Sequence, residues 1–127
     1  MNIIIKNTAG KPIYEQIKEQ IKEAILAGDL DEGEMLPSIR KLAHSLRISV
    51  ITTSRAYTDL EEEGYVVNVQ GKGCFVAPKN NDLFREQVLR SIEEHLAAAA
   101  DTGKVAKLSR DDLLNMLALI LDEHEYE

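Results

Sequence analysis

Between Met35 and Thr58 the chain carries four basic side chains, Arg40, Lys41, Arg47 and Arg55, and no carboxylate. Acidic residues crowd both flanks, with Asp29, Asp31, Glu32 and Glu34 before this window and Asp59, Glu61, Glu62 and Glu63 after it. Small hydroxyl residues (Ser38, Ser49, Thr52, Ser54) are interleaved with the cations, and a glycine-flanked lysine follows in Gly71-Lys72-Gly73. This set binds anions by charge and hydrogen bonding. A confined basic patch on an acidic chain suits a phosphate backbone, because affinity there comes from local counterion release and not from whole-chain charge.

Covalent chemistry has no comparable set. His44, His95 and His124 lack a second histidine or a cysteine at ligand spacing, and Asp122-Glu123-His124-Glu125 reads as a solvated acidic stretch. Gly71-Lys72-Gly73 lacks the hydroxyl residue that follows the lysine of a phosphate loop, and it falls between strand patterns, not before a helix. Glu61-Glu62-Glu63 reads as a solvated charge run. No catalytic residue, metal ligand or cofactor is expected. The single cysteine, Cys74, can close no internal disulfide, which fits a reducing cytoplasm, and no activating cation adjoins it.

The elements that must hold the basic set follow from hydrophobic spacing. Ile39, Leu42, Ala43 and Leu46 share one helical face, as do Ala56, Tyr57 and Leu60. Ser38 and Ser49 are placed to accept a backbone N–H at the two helix starts, and Gly64 to take the left-handed conformation that closes the second. Arg47-Ile48-Ser49 allows only a tight turn, so the helices cross steeply as a helix-turn-helix. Val67 and Val69 alternate with Asn68 and Gln70 before the glycines, and Phe75-Val76 follows, the pattern of a two-stranded ribbon. Upstream, Pro12 opens a helix ending at Gly28, with Ile13, Ile17, Ile21 and Ile25 on its core face and Glu15, Lys18, Glu19, Lys22 and Glu23 on a solvated one. Ile3-Ile4-Ile5 either forms a short strand or packs as plain hydrophobes. The expected architecture is mainly α with a small β-hairpin, a winged helix-turn-helix over residues 1–78.

At 127 residues, 44% of them hydrophobic, the chain has room for one domain and an appendage. Its formal charge of −7 is uneven: residues 1–80 hold 10 basic against 11 acidic side chains, and residues 81–127 hold 5 against 11. Neither a signal core nor a membrane span is present. After Pro78, a polar hinge at 79–82 leads to a two-helix region over 83–127. Phe84, Val88, Ile92 and Leu96 recur at spacing four, Asp101-Thr102-Gly103 reads as a break, and Ser109 with Asp112 forms a capping box before Leu113, Leu117, Ile120 and Leu121. These apolar stripes cannot satisfy each other alone. They are expected to form the interface of a homodimer, the alternative being that they fold back on the winged helix.

The runs Leu36-Pro37-Ser38-Ile39-Arg40-Lys41-Leu42-Ala43, Arg55-Ala56-Tyr57, Leu60-Glu61-Glu62-Glu63-Gly64-Tyr65 and Gly71-Lys72-Gly73-Cys74-Phe75-Val76, with Pro12-Ile13-Tyr14-Glu15-Gln16-Ile17 ahead of them, resemble the DNA-binding domain of GntR-type bacterial transcription regulators. The resemblance covers residues 10–77, and the short tail is similar to the YtrA-like branch of that family. It implies that Arg40 and Thr52 contact double-stranded DNA, that Ser49 both caps its helix and meets a phosphate, and that Gly71 approaches the minor groove with Lys72 on the backbone. Arg55 either contacts DNA or pairs with Asp59. The second helix would enter the major groove through Ser49, Val50, Ile51, Thr52 and Ser54. Many relatives carry arginine, or proline then asparagine, where this chain has Val50 and Ile51. These two either touch thymine methyl groups, or one of them packs against the wing or the 38–46 helix. The implied function is that of a dimeric, sequence-specific repressor; the competing class is a winged-helix module for protein or RNA contact. Any small-molecule effector would sit between protomers.

Overall fold

Isoleucine at every fourth position sets the first helix. In a computed structural model of the chain, which describes residues 2–7 and 10–126, that stripe forms the inner face of α1 (Ile13–Leu26), with Ile17, Ile21 and Ile25 buried. Two more helices pack here, α2 (Ile39–Leu46) and α3 (Val50–Glu62). Thr53, Ala56, Tyr57 and Leu60 of α3 are buried, and the helix touches both α1 and α2. Ser38 Oγ accepts from the Lys41 N–H at 3.1 Å and Ser49 Oγ from the Thr52 N–H at 3.0 Å, so both expected caps form. Between them Arg47 adopts φ 56° while the Ile48 N–H reaches the Ala43 carbonyl. Holding a residue with a side chain in this conformation costs about 1 kcal/mol, so the sharp turn is stored strain.

Strands β1 (Val66–Val69) and β2 (Gly73–Val76) pair antiparallel, with Val66 opposite Val76 and Val69 opposite Gly73. A third segment joins them that alternation could not reveal. Met35 bridges Phe75, the Leu36 N–H donates to the Cys74 carbonyl at 2.8 Å and the Val76 N–H to the Glu34 carbonyl at 2.9 Å. Strand β2 is therefore hydrogen-bonded on both sides, which steadies the wing.

Ile3-Ile4-Ile5 forms no strand; Ile3 and Ile5 pack on the core. Two glutamines of α1 take the place of a strand partner. Gln16 Oε1 accepts from the Lys6 N–H and its Nε2 donates to the Lys6 carbonyl, while Gln20 does the same for Ile4. The charged face of α1 is also less solvated than its sequence suggests. Lys18 Nζ lies 3.2 Å from Glu63 and 3.8 Å from Asp59, and Lys22 Nζ lies 2.6 Å from Glu63. Burial alone would raise the Glu63 carboxyl, but hydrogen bonds from Lys22 and Lys18 outweigh it and hold the group below its usual range.

The chain divides into two compact units, residues 1–88 and 89–127, and the boundary falls within α4 (Asp82–Val105). The first unit thus runs past the expected hinge at 79–82. Phe84 is buried, meeting the Tyr65 ring edge-on at 5.8 Å, and Val88 packs on the same core. Both were expected on the dimerisation stripe; apolar burial draws them into the winged helix instead. In the second unit, Asp101-Thr102-Gly103 does not break the helix. Gly103 is buried in α4, and a Cβ there would lie 3.0 Å from Leu113 Cδ1, so the glycine admits α5 (Arg110–Glu123) to close approach. The capping box of Ser109 and Asp112 forms. Even so, α5 has no buried residue: Leu113, Leu117 and Leu121 are half-buried and Leu114, Met116 and Ile120 are exposed, as are Ile92 and Leu96 of α4.

Two outcomes are expected. Gly64 has φ +86°, and a Cβ there would lie 2.7 Å from Leu83 Cγ and 2.9 Å from the Phe84 nitrogen. Gly64→Ala should cost about 2–4 kcal/mol in urea unfolding, whereas Gly28→Ala, at φ +82° with open space around it, should cost only about 1 kcal/mol; equal losses would mean that the α4 contact does not form. Because the Glu63 pKa is depressed by folding, its stabilisation is complete above the ordinary value of 4.5 and is lost as pH falls through the lower native value. Glu63→Gln should therefore cost about 0.5–1 kcal/mol at neutral pH and flatten the acid limb of the stability profile.

Candidate nucleic-acid interface

The capping serines place the starts of α2 and α3 at the surface. Thr53 is fully buried, its hydroxyl donating to the Ser49 carbonyl at 3.1 Å, which fixes which side of α3 turns inward. Val50 and Ile51 are left 48% and 82% exposed, beside half-buried Thr52 and Ser54 and exposed Arg55. Neither Val50 nor Ile51 belongs to the core cluster. The Ser49 hydroxyl accepts from the Thr52 N–H and donates to Thr52 Oγ1 at 2.8 Å, so its one proton is already committed. The two hydroxyls share one bond, which leaves one proton of the pair to point away from the helix.

A cleft of about 360 Å³ separates the start of α2 from the wing, with Ser38 and Ile39 on one wall, Gln70, Gly71 and Lys72 on the other and Tyr57 at its base. Ser38 and the tip of the wing therefore flank one continuous surface. Gly71 has φ +77° with nothing within 4 Å of where a Cβ would stand. Glycine there answers to the turn, and it leaves the main chain bare at the tip.

Electrostatics divides the cations into two groups. Lys18 and Lys22 are neutralised by α3 carboxylates, and Lys11 by Glu19. Arg40, Lys41, Arg47 and Lys72 are exposed, and among the described residues none of them makes an ion pair. Arg55 does not pair with Asp59, which faces Lys18; its guanidinium lies 3.7 Å above the Tyr14 ring, a support its sequence neighbours did not reveal. Stacking leaves the in-plane N–H donors open. The Glu61-Glu62-Glu63 run is not simply solvated: Glu61 Oε2 accepts from the Asn68 N–H at 2.8 Å, tying α3 to β1.

Other chemistry finds little footing. Burial, helped by the charge of Glu61, pushes the Cys74 thiol up to about 11, which keeps it protonated. Among the described residues no three His, Cys, Asp or Glu side chains gather as a metal site, and no helix is long and apolar enough to cross a membrane.

Comparison with known proteins bears on this surface directly. Residues 13–76, from the start of α1 to the end of β2, match the family model described as bacterial regulatory proteins of the gntR family. The HTH-type transcriptional repressor YtrA of Bacillus subtilis (strain 168) is 36% identical over 94 residues, which span 74% of this chain and 72% of that protein. A solved structure of YtrA from Sulfolobus acidocaldarius, a GntR-family transcription factor, is 32% identical, with a TM-score of 0.65 covering 95% of this chain and 97% of that one. The structure of AraR(DBD) in complex with operator ORX1 is 29% identical, with a TM-score of 0.54 over 61% of this chain and 96% of that one. A helix-turn-helix with a glycine-tipped wing, matched through its whole extent by that model, places this chain in the GntR family of bacterial transcriptional regulators.

Proposed function

We propose that this chain is a repressor that binds a palindromic operator as a homodimer, with Ser38, Arg40, Ser49, Val50, Ile51, Thr52, Ser54, Arg55, Gly71 and Lys72 facing the DNA. One observation carries the reading. On a chain of formal charge −7, the cations of the helix-turn-helix and the wing are unpaired while those of α1 are neutralised. Unpaired cations on one surface are what counterion release requires. The AraR complex with its operator and the repressor name of the Bacillus relative support DNA as the partner and repression as the outcome. Within this reading Arg40, Thr52 and Arg55 donate to DNA. Ser49 caps α3 and meets a phosphate.

The homodimer rests on the second unit. Exposed Ile92, Leu96 and Ile120, with half-buried Leu113, Leu117 and Leu121, give two helices an apolar surface that water would otherwise cover. A two-fold pairing would present two copies of α3 about 34 Å apart, one turn of duplex. An effector, where one exists, would lie between protomers.

In a binding titration, log K for a palindromic duplex should fall with log[salt] at a slope of roughly −0.9 per phosphate neutralised, and Arg40→Ala should weaken binding by about 1–3 kcal/mol. A flat salt response would favour a protein-contact or RNA module. In sedimentation, the intact chain should run as a dimer, and Ile92→Glu with Ile120→Glu, both at exposed positions, should run as a folded monomer with weakened operator binding. A variant that stays dimeric would move the interface elsewhere.

A further inference from the structure

The outer edge of α3 presents carbon where a base-reading helix more often carries hydrogen-bonding groups. Val50 and Ile51 in its first turn are 48% and 82% exposed. Their β-branched side chains lower helix propensity, so folding gains nothing by having them in water. The neighbouring hydroxyls are largely committed: Ser49 is bonded to the N–H and the Oγ1 of Thr52, and Thr53 is buried against the Ser49 carbonyl. From Ser49 to Ser54 there is no arginine, lysine, asparagine or glutamine, the residues that pair bidentately with guanine or adenine, and Arg55, the next residue, is held over the Tyr14 ring of α1. The major groove offers one apolar group for such a surface to recognise, the 5-methyl of thymine. The surroundings favour a duplex over an apolar protein partner, because Arg40, Arg47 and Arg55 of the same helix-turn-helix are exposed and would lose hydration against a hydrophobic surface.

We infer that Val50 and Ile51 select thymine through its 5-methyl group, so that the base pairs beneath the start of α3 are discriminated by a methyl contact and not by a hydrogen-bond pattern. This rests on the operator reading above and adds which atom of the base is read. Deoxyuridine isolates that atom. It keeps every hydrogen-bonding group of thymidine and lacks only the methyl, which lies in the major groove, away from the minor groove assigned to the wing.

The test uses the full chain and the tightest duplex that it recovers from a randomised pool, remade with deoxyuridine at one thymidine at a time. At the positions facing α3, affinity should fall about fourfold per methyl removed. Ile51→Ala should bring the thymidine-to-deoxyuridine ratio close to one at one such position and Val50→Ala at its neighbour, while the salt slope, which counts phosphates, stays unchanged. Both residues are exposed, so both variants should unfold at or above the wild-type temperature. Deoxyuridine tolerated at every position of a recovered duplex, or discrimination that persists in both alanine variants, overturns the inference while the operator reading stands. Recovery of no duplex overturns both.

Discussion

The buried hydroxyl of Tyr57 donates to the Pro37 carbonyl at 2.7 Å, and the placement of the interface depends on that bond. Tyr57 sits in the middle of α3, and Pro37 immediately precedes the cap of α2. One hydrogen bond therefore ties the start of α2 to the middle of α3. Burial drives the phenol pKa up, so the group is a donor at neutral pH. Losing the bond would leave a carbonyl and a hydroxyl unsatisfied in a dry place, a penalty of about 1–3 kcal/mol. The ring belongs to the same core cluster as Ile17, Ile21 and Leu60, so the constraint is shared by the core and by the surface above it.

The same helix is divided in its chemistry along its length. Its first half holds hydroxyls and an arginine, and its second half holds Asp59, Glu61 and Glu62, with Glu63 just beyond its end. Carboxylates near a helix C-terminus oppose the helix dipole and would repel a phosphate backbone. Three of the four are occupied within the protein, Asp59 by Lys18, Glu63 by Lys18 and Lys22, and Glu61 by the Asn68 N–H, while Glu62 is exposed. Much of the negative charge at this end is thus taken up by α1 and β1, while Arg40, Lys41, Arg47 and Lys72 stay exposed without an ion pair among the described residues.

Much of this was legible in the sequence because it is periodic or punctuated. The isoleucine stripe of α1, the serine caps, Gly64 and the glycine-tipped ribbon each obey a local rule, and each forms. What escaped depended on contacts distant in sequence. Met35 against Phe75 is one bridge with no alternation around it. The hold of Gln16 and Gln20 on the N-terminal segment uses side-chain amides in place of a strand, which no hydrophobic pattern encodes. Phe84 and Val88 continue the spacing of Ile92 and Leu96, so periodicity cannot tell that the first two belong to a different core. Gly103 was read as a helix breaker because a glycine that ends a helix and one that admits a neighbouring side chain look the same without that neighbour. Arg55 had two readings, and the Tyr14 ring supplied a third arrangement.

The second unit takes on a physical rationale from the character of the first. If the start of α3 reads bases through Val50 and Ile51 as proposed, that contact alone would discriminate weakly, since a methyl contact is worth about 0.8 kcal/mol and a phosphate contact carries no sequence information. One copy would bind many duplexes almost equally. Two copies held in fixed register combine their preferences and convert the second binding event into an intramolecular one, which can raise affinity by about 10²–10⁴ without any new contact to a base. Helices α4 and α5 bury few of their own apolar residues, which on a free monomer would be a liability. In the proposed dimer that surface is the means by which a weak reader becomes selective, so the exposed leucines and isoleucines of the tail and the exposed aliphatics of α3 meet one requirement.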